Sequence, residues 1–183
     1  MRVVIGMTGA SGFLFGVDFL RRCQAEKYLV LSKWGRYTLK EETGFTEHHL
    51  AEHVKKIFSD DDLAAPFSSG STPFDAMVIL PCSASTMSKI ACGIGDTLIT
   101  RVAQVALKER RTLIVCLRET PLSTIHLEQA HTLSLAGAIV MPLAPPFYHK
   151  PQTIDEMVEQ FTEKVLSLLG VETQHAWRSE ALE

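Results

Sequence analysis

The chain has 183 residues, 46% of them hydrophobic and 21% charged, with a formal net charge of −3. That length suits one domain able to bury a proper core, and the composition is that of an ordinary globular protein. The charge balance excludes a broad nucleic-acid surface, and no apolar run reaches the roughly 20 residues that a membrane span needs.

The opening Met1-Arg2-Val3-Val4-Ile5-Gly6 is too short and too soon interrupted for a signal peptide. The cysteines, Cys23, Cys82, Cys92 and Cys116, form no C-x-x-C pair and sit at no zinc-ligand spacing from a histidine. Reduced thiols in a cytoplasmic protein without a metal are the expectation.

In chain order, Arg2 to Gly6 reads as a buried strand, followed by a helix from Gly12 to Ala25. Tyr28 to Ser32 is a second strand. Lys33 to Glu42 and Thr46 to Ile57 read as helices. Phe58-Ser59-Asp60-Asp61-Asp62 then turns polar and breaks the pattern. Pro66 to Pro73 is a loop, with room for a short edge strand near Pro66. Asp75 to Leu80 is the next strand, with helices expected over Ser85–Cys92 and Asp96–Glu109. Thr112 to Leu117 is a strand, Ser123 to Leu135 a helix and Ala138 to Met141 a short strand. The last helix, Thr153 to Leu169, opens on a capping-box spacing, Thr153 with Glu156, and carries an apolar face from Ile154 to Leu168. Short apolar strands alternating with helices predict a three-layer, Rossmann-like or flavodoxin-like α/β fold. Its parallel sheet should have five to six strands with helices on both faces. Residues 1–170 form the expected domain and 171–183 a tail.

Three strand ends carry candidate chemistry. Gly6-Met7-Thr8-Gly9-Ala10-Ser11-Gly12 joins the first strand to its helix, where free amides and the helix dipole suit a phosphate and Ser11 adds a hydroxyl. The alternative is a purely structural tight turn. The spacing G-x-x-G-x-x-G is not the dinucleotide G-x-G-x-x-G. The second strand ends in Ser32-Lys33 instead of the acidic residue that grips an NAD ribose, which favours a mononucleotide such as FMN. The third ends in Pro81-Cys82-Ser83-Ala84-Ser85-Thr86, small hydroxyl residues that either line a ligand crevice or cap a helix.

Arg101 and Lys108 are seven residues apart, on one helical face, where they either hold a substrate phosphate or are solvated. Arg118-Glu119-Thr120-Pro121 follows a buried strand directly and so stands at the crevice. Glu42 ends its helix beside Glu41, a position usually on the surface. His48, His49 and His53 include an i, i+4 pair but no H-E-x-x-H motif, which favours a solvated face. Phe147-Tyr148-His149 lies in a proline-rich loop of the kind that carries binding groups.

Taken in order, Thr8-Gly9-Ala10-Ser11-Gly12, Leu31-Ser32-Lys33, Glu42-Thr43, Ser69-Gly70-Ser71, Pro81-Cys82-Ser83, Ala106 to Arg111, Arg118 to Leu122, Ile125 to Glu128 and Pro146 to His149 closely resemble the UbiX-like flavin prenyltransferases, from residue 2 to about 170. The resemblance implies a flavoprotein that joins the prenyl group of dimethylallyl phosphate to N5 and C6 of reduced FMN, without a metal. It further implies a large homo-oligomer, often a dodecamer, with sites between subunits, and a UbiD-type decarboxylase that receives the product.

Carried over by position, Gly9, Ala10, Ser11, Ser32, Ser83, Ala84, Ser85, Thr86 and Arg118 would hold FMN. Ser11 and Glu119 would form a polar pair near N5. Glu42, Arg101, Lys108 and Tyr148 would surround the substrate phosphate, Ser69 and Gly70 would line the prenyl pocket, and Trp177 would close the site. Lys164 stands sixteen residues after Tyr148, where the family usually has arginine; it keeps the charge but not the bidentate fork. Two other readings are an FMN-dependent cysteine decarboxylase, whose Pro-x-Met-Asn segment is absent here, and a non-catalytic flavin-binding subunit.

Overall fold

The computed structural model describes residues 1–173. Six parallel strands form one sheet in the order β3-β2-β1-β4-β5-β6. The strands are β1 (Arg2–Met7), β2 (Glu26–Leu31), β3 (Lys56–Ser59), β4 (Ala76–Cys82), β5 (Thr112–Leu117) and β6 (Ile139–Pro142). The helices are α1 (Phe13–Arg22), α2 (Lys33–Thr43), α3 (Glu47–Ala51), α4 (Ala84–Ala91), α5 (Leu98–Lys108), α6 (Thr124–Leu135) and α7 (Ile154–Leu168). This is the expected three-layer α/β fold. The chain builds outward from β1 to β3, then returns to β4 on the other side of β1. The sheet therefore has its switch point between β1 and β4, where such folds bind ligands.

Alternate residues of each strand feed two cores. Val3, Ile5 and Met7 pack with Phe13, Phe19, Leu39 and Phe161 beneath α1, α2, α3 and α7. Val4, Met77, Ile79 and Val115 pack with Met87, Ile99, Val102 and Leu133 beneath α4, α5 and α6. Burial on both faces explains why β1, β4 and β5 are continuous apolar runs.

The helix expected over Thr46–Ile57 is corrected. Only Glu47–Ala51 is helical. Lys56–Ser59 is an edge strand, paired in register with Tyr28–Leu31. Phe58 decides the matter: it is buried against the Phe67 and Tyr28 rings, so tertiary packing overrides a local helical pattern. The edge strand is therefore here and not near Pro66, where Pro66–Ser68 is a turn of 3-10 helix. At α7, Thr153 accepts from the Glu156 amide as expected, but the Glu156 carboxylate reaches the Gln152 amide one residue further out.

Candidate active site

Thr8 joins the two strands at the switch point. Its buried hydroxyl donates to Pro81 O (3.1 Å) and accepts from Ser83 N (2.8 Å), while its amide donates to Pro81 O. Gly9 follows, and a Cβ there would meet Trp34 Cβ at 2.5 Å, so only glycine lets the turn pass under Trp34.

Beyond this junction lies a cavity of about 290 Å³ on which three helices begin. Ser32 caps α2 by accepting from Gly35 N (3.0 Å), Ser83 caps α4 from Thr86 N (3.3 Å), and Thr97 caps α5 from Thr100 N (3.4 Å). All three caps line the cavity, with Ser85, Thr86 and Thr100 between them. A hydroxyl that accepts a capping bond keeps its own proton to donate, and helix starts carry partial positive charge. The cavity is therefore built for a ligand with an anionic end.

Two charged residues border the same space, Lys89 and Asp60. The Lys89 ammonium pairs with Asp96 at 2.7 Å. Asp60 follows β3 and answers the start of α5: its carbonyl accepts from Leu98 N (2.7 Å) and Oδ1 from Ile99 N (2.8 Å). Burial pushes the Asp60 carboxyl above the usual aspartate range, against the lowering effect of the Ile99 amide and the Thr97 hydroxyl.

Of the residues expected to hold FMN, Gly9, Ser32, Ser83, Ser85 and Thr86 line this cavity. Ala10 and Ser11 continue the same turn. Ala84 is buried as the first residue of α4. Arg118 stands one strand further along, its amide on Cys82 O at 2.9 Å, and Glu119 beside it accepts from Thr120 N.

The expectation for α1 is corrected. Its start is not open to a phosphate, because the Glu42 carboxylate accepts from Gly12 N (2.9 Å) and Phe13 N (2.8 Å). Gly12 sits at φ +107°, the left-handed turn that aims both amides at this carboxylate.

The grouping of Glu42, Arg101, Lys108 and Tyr148 around one phosphate is also not formed within a single chain. Glu42 borders a cavity of about 480 Å³ between α1, α2 and α7. Tyr148 and Lys164 share another, of about 430 Å³, along α7. Arg101 and Lys108 belong to α5, on the opposite face of the sheet. There Arg101 Nε donates to Ser68 O at 2.9 Å, and Lys108 pairs with Glu109 against Gly70. Gly70 thus does meet Lys108, and Arg101 holds Ser68, the residue before Ser69. Arg111, which sequence reasoning did not single out, holds this loop through the carbonyls of Gly70 (2.7 Å) and Thr72 (2.9 Å). Trp177 lies outside the described residues.

Sequence reasoning also missed Thr8, Trp34, Asp60, Lys89, Thr97 and Thr100. The Thr97–Thr100 capping pair was visible as a spacing. Asp60, in a run of three aspartates, read as a helix breaker.

A switch-point cavity ringed by helix starts and hydroxyls, with no dinucleotide glycine pattern, defines a mononucleotide-binding α/β protein. The flavoprotein family profile matches residues 1–166. The flavin prenyltransferase UbiX of Thermoplasma acidophilum is 48% identical over 172 residues, 93% of this chain and 96% of that protein. A crystal structure of AnUbiX (PadA1) in complex with FMN and dimethylallyl pyrophosphate superposes with a TM-score of 0.91 at 39% identity, covering 97% of this chain and 98% of that one. A dodecameric FMN-dependent UbiX-like decarboxylase from Escherichia coli O157:H7 also gives 0.91, at 38% identity, over 97% and 100% of the two chains. The chain belongs to the flavoprotein family and, within it, to the UbiX-like flavin prenyltransferases.

Proposed function

We propose that this protein transfers the dimethylallyl group of dimethylallyl phosphate to N5 and C6 of reduced FMN. The observation that carries this reading is the meeting of three capped helix starts at the switch point, in a chain nearly half identical to a flavin prenyltransferase. The lining suits FMN. Ser85, Thr86 and Lys89 offer hydroxyls and a cation to a phosphate, and Ser32, Ser83 and the Gly9-Ala10-Ser11 turn offer further donors.

Reduced FMN supplies the nucleophilic N5 and C6, so no side chain has to attack. In net balance the allylic C–O bond breaks and phosphate leaves with its electron pair. The bond to N5 forms with loss of the N5 proton. The bond to C6 forms at the expense of the prenyl C=C, with C6 giving up a proton and the other alkene carbon taking one up, so the flavin gains C5H8. The protein's part is positioning and charge stabilisation at the leaving group. Arg101, Lys108, Tyr148 and Lys164 are the groups suited to that phosphate, with Ser69 and Gly70 beside the prenyl chain. Arg118 contributes to holding the flavin. Ser11 and Glu119 are suited to moving the N5 proton, and Glu42, beside Ser11 through the Gly12 amide, to accepting another.

Because these groups lie on opposite faces of one chain, the reading requires copies to complete one another's sites. Exposed Ile125, Leu127, Leu135 and Phe147 supply apolar surface for such contacts, and the Escherichia coli relative is described as dodecameric. Four free cysteines suit a cytoplasmic setting, and among the described residues no helix is long and apolar enough to cross a membrane. The prenylated flavin would serve a UbiD-type decarboxylase.

The test is stoichiometric phosphate release from dimethylallyl phosphate, in the absence of oxygen, with reduced FMN present. Release that does not depend on flavin, or no release by FMN-loaded protein, would remove the reading. Dimethylallyl pyrophosphate in parallel identifies the preferred leaving group.

A further inference from the structure

The charges around the FMN cavity are sorted. At α4, the Ser85 and Thr86 hydroxyls and the helix start present donors and partial positive charge, with Lys89, paired to Asp96, one turn on. At α5 the positive helix end is already answered from within the chain: Leu98 N and Ile99 N by Asp60, Thr100 N by Thr97. A phosphate at α5 would lie against the Asp60 carboxylate, so the anion belongs at α4.

Asp60 is then a carboxylate on a cavity wall otherwise rich in hydroxyls. Oδ1 accepts from Ile99 N and the Thr97 hydroxyl also bonds the carboxylate, but a carboxylate has acceptor sites for about four donors. The capacity left on the cavity side calls for a ligand group that donates and carries no negative charge. Between its phosphate and its ring, FMN carries a ribityl chain with three hydroxyls, which meet that need.

We infer that Asp60 is a flavin-binding residue that accepts a hydrogen bond from a ribityl hydroxyl, orienting the cofactor with its phosphate at α4. This rests on the FMN reading above, and extends it by fixing which way round the flavin lies. A role confined to capping α5 would alter folding and leave flavin selectivity untouched.

The experiment compares the affinities of FMN, riboflavin and riboflavins lacking one ribityl hydroxyl for the wild type and D60N. D60N keeps an oxygen acceptor for Ile99 N. FMN and riboflavin should both weaken by a common factor of about ten, the usual scale for a hydrogen bond to a charged acceptor. One deoxy analogue should bind the wild type about tenfold more weakly than riboflavin, and show no further loss on D60N. Unchanged affinities in D60N would overturn the assignment. So would tighter FMN with unchanged riboflavin, because that places the phosphate beside Asp60. If D60N does not fold, D60S takes its place; equal binding of all the deoxy analogues to the wild type overturns the assignment without any variant. A wild type that binds no FMN refutes the function reading itself, whereas a wild type that binds FMN without discriminating the analogues refutes this inference alone.

Discussion

Glu42 closes the start of α1 by accepting the Gly12 amide at 2.9 Å, across thirty residues of chain. The same carboxylate takes Phe13 N, so two amides that helix geometry leaves unpaired are satisfied by one side chain. An anionic cap at a helix start is favoured by the dipole as well as by the hydrogen bonds. Glu42→Ala should therefore destabilise the flavin-free protein by about 1 kcal/mol, and Glu42→Gln by less. Urea unfolding of both variants checks this, and equal stability of all three proteins would remove the capping role.

Thr8 holds the switch point together. Thr8→Val keeps the shape but leaves Ser83 N, and with it the start of α4, without its 2.8 Å acceptor. A buried donor left unpaired costs about 1–3 kcal/mol. The variant should lose stability on that scale and bind FMN more weakly, while Thr8→Ser should restore both. Isothermal titration beside thermal unfolding separates the two effects.

The placement of Lys108 and Tyr148 on opposite faces of the sheet makes a prediction about assembly. If copies complete each other's sites, Lys108→Ala and Tyr148→Phe chains should each be nearly inactive alone. Dissociated and reassembled together, they should regain a measurable fraction of activity, because some sites then draw both intact residues. No recovery in demonstrably mixed oligomers would place both residues in a site formed by one chain.

Burial raises the Asp60 carboxyl, with Asp61 and Asp96 adding to the rise; Lys89, the cation bordering the same cavity, is paired to Asp96. The sign follows directly. Between the ordinary aspartate value, near pH 4, and the raised one, the native state holds a proton that the unfolded chain has released. Stability from this group is therefore full below that ordinary value and falls as pH rises through the raised one. In flavin-free protein, D60N should gain on the wild type as the pH climbs from 4 to 7. A stability difference that is flat in pH would contradict the raised carboxyl. A carboxylate kept at such a cost is typical of binding sites.

The parts of the fold legible in the sequence were those whose signal is local. β1, β4 and β5 are buried on both faces, so they appear as unbroken apolar runs. β3 is an edge strand with only Phe58 buried among four residues, and its lysine-rich lead-in looked like the end of a helix. The site was legible at the strand ends, where Gly9, Ser32 and Ser83 mark turns and caps. Glu42 on Gly12, and Asp60 on Ile99, are contacts between residues far apart in sequence. No periodicity records them, and they became visible only once the sheet had brought their helices together. The separation of Lys108, on α5, from Tyr148, in the loop before α7, has the same origin, since their spacing along the chain carries no information about which face of the sheet each lies on.

The central claim is that the flavin itself is the acceptor of the prenyl group. Its most direct test is the mass of the flavin extracted after oxygen-free incubation of the protein with reduced FMN and dimethylallyl phosphate. The account predicts a flavin heavier than FMN by one C5H8 unit, formed with Ser11→Ala protein far more slowly although that variant still binds FMN. An unchanged flavin mass, recovered from protein with FMN demonstrably bound, would contradict it.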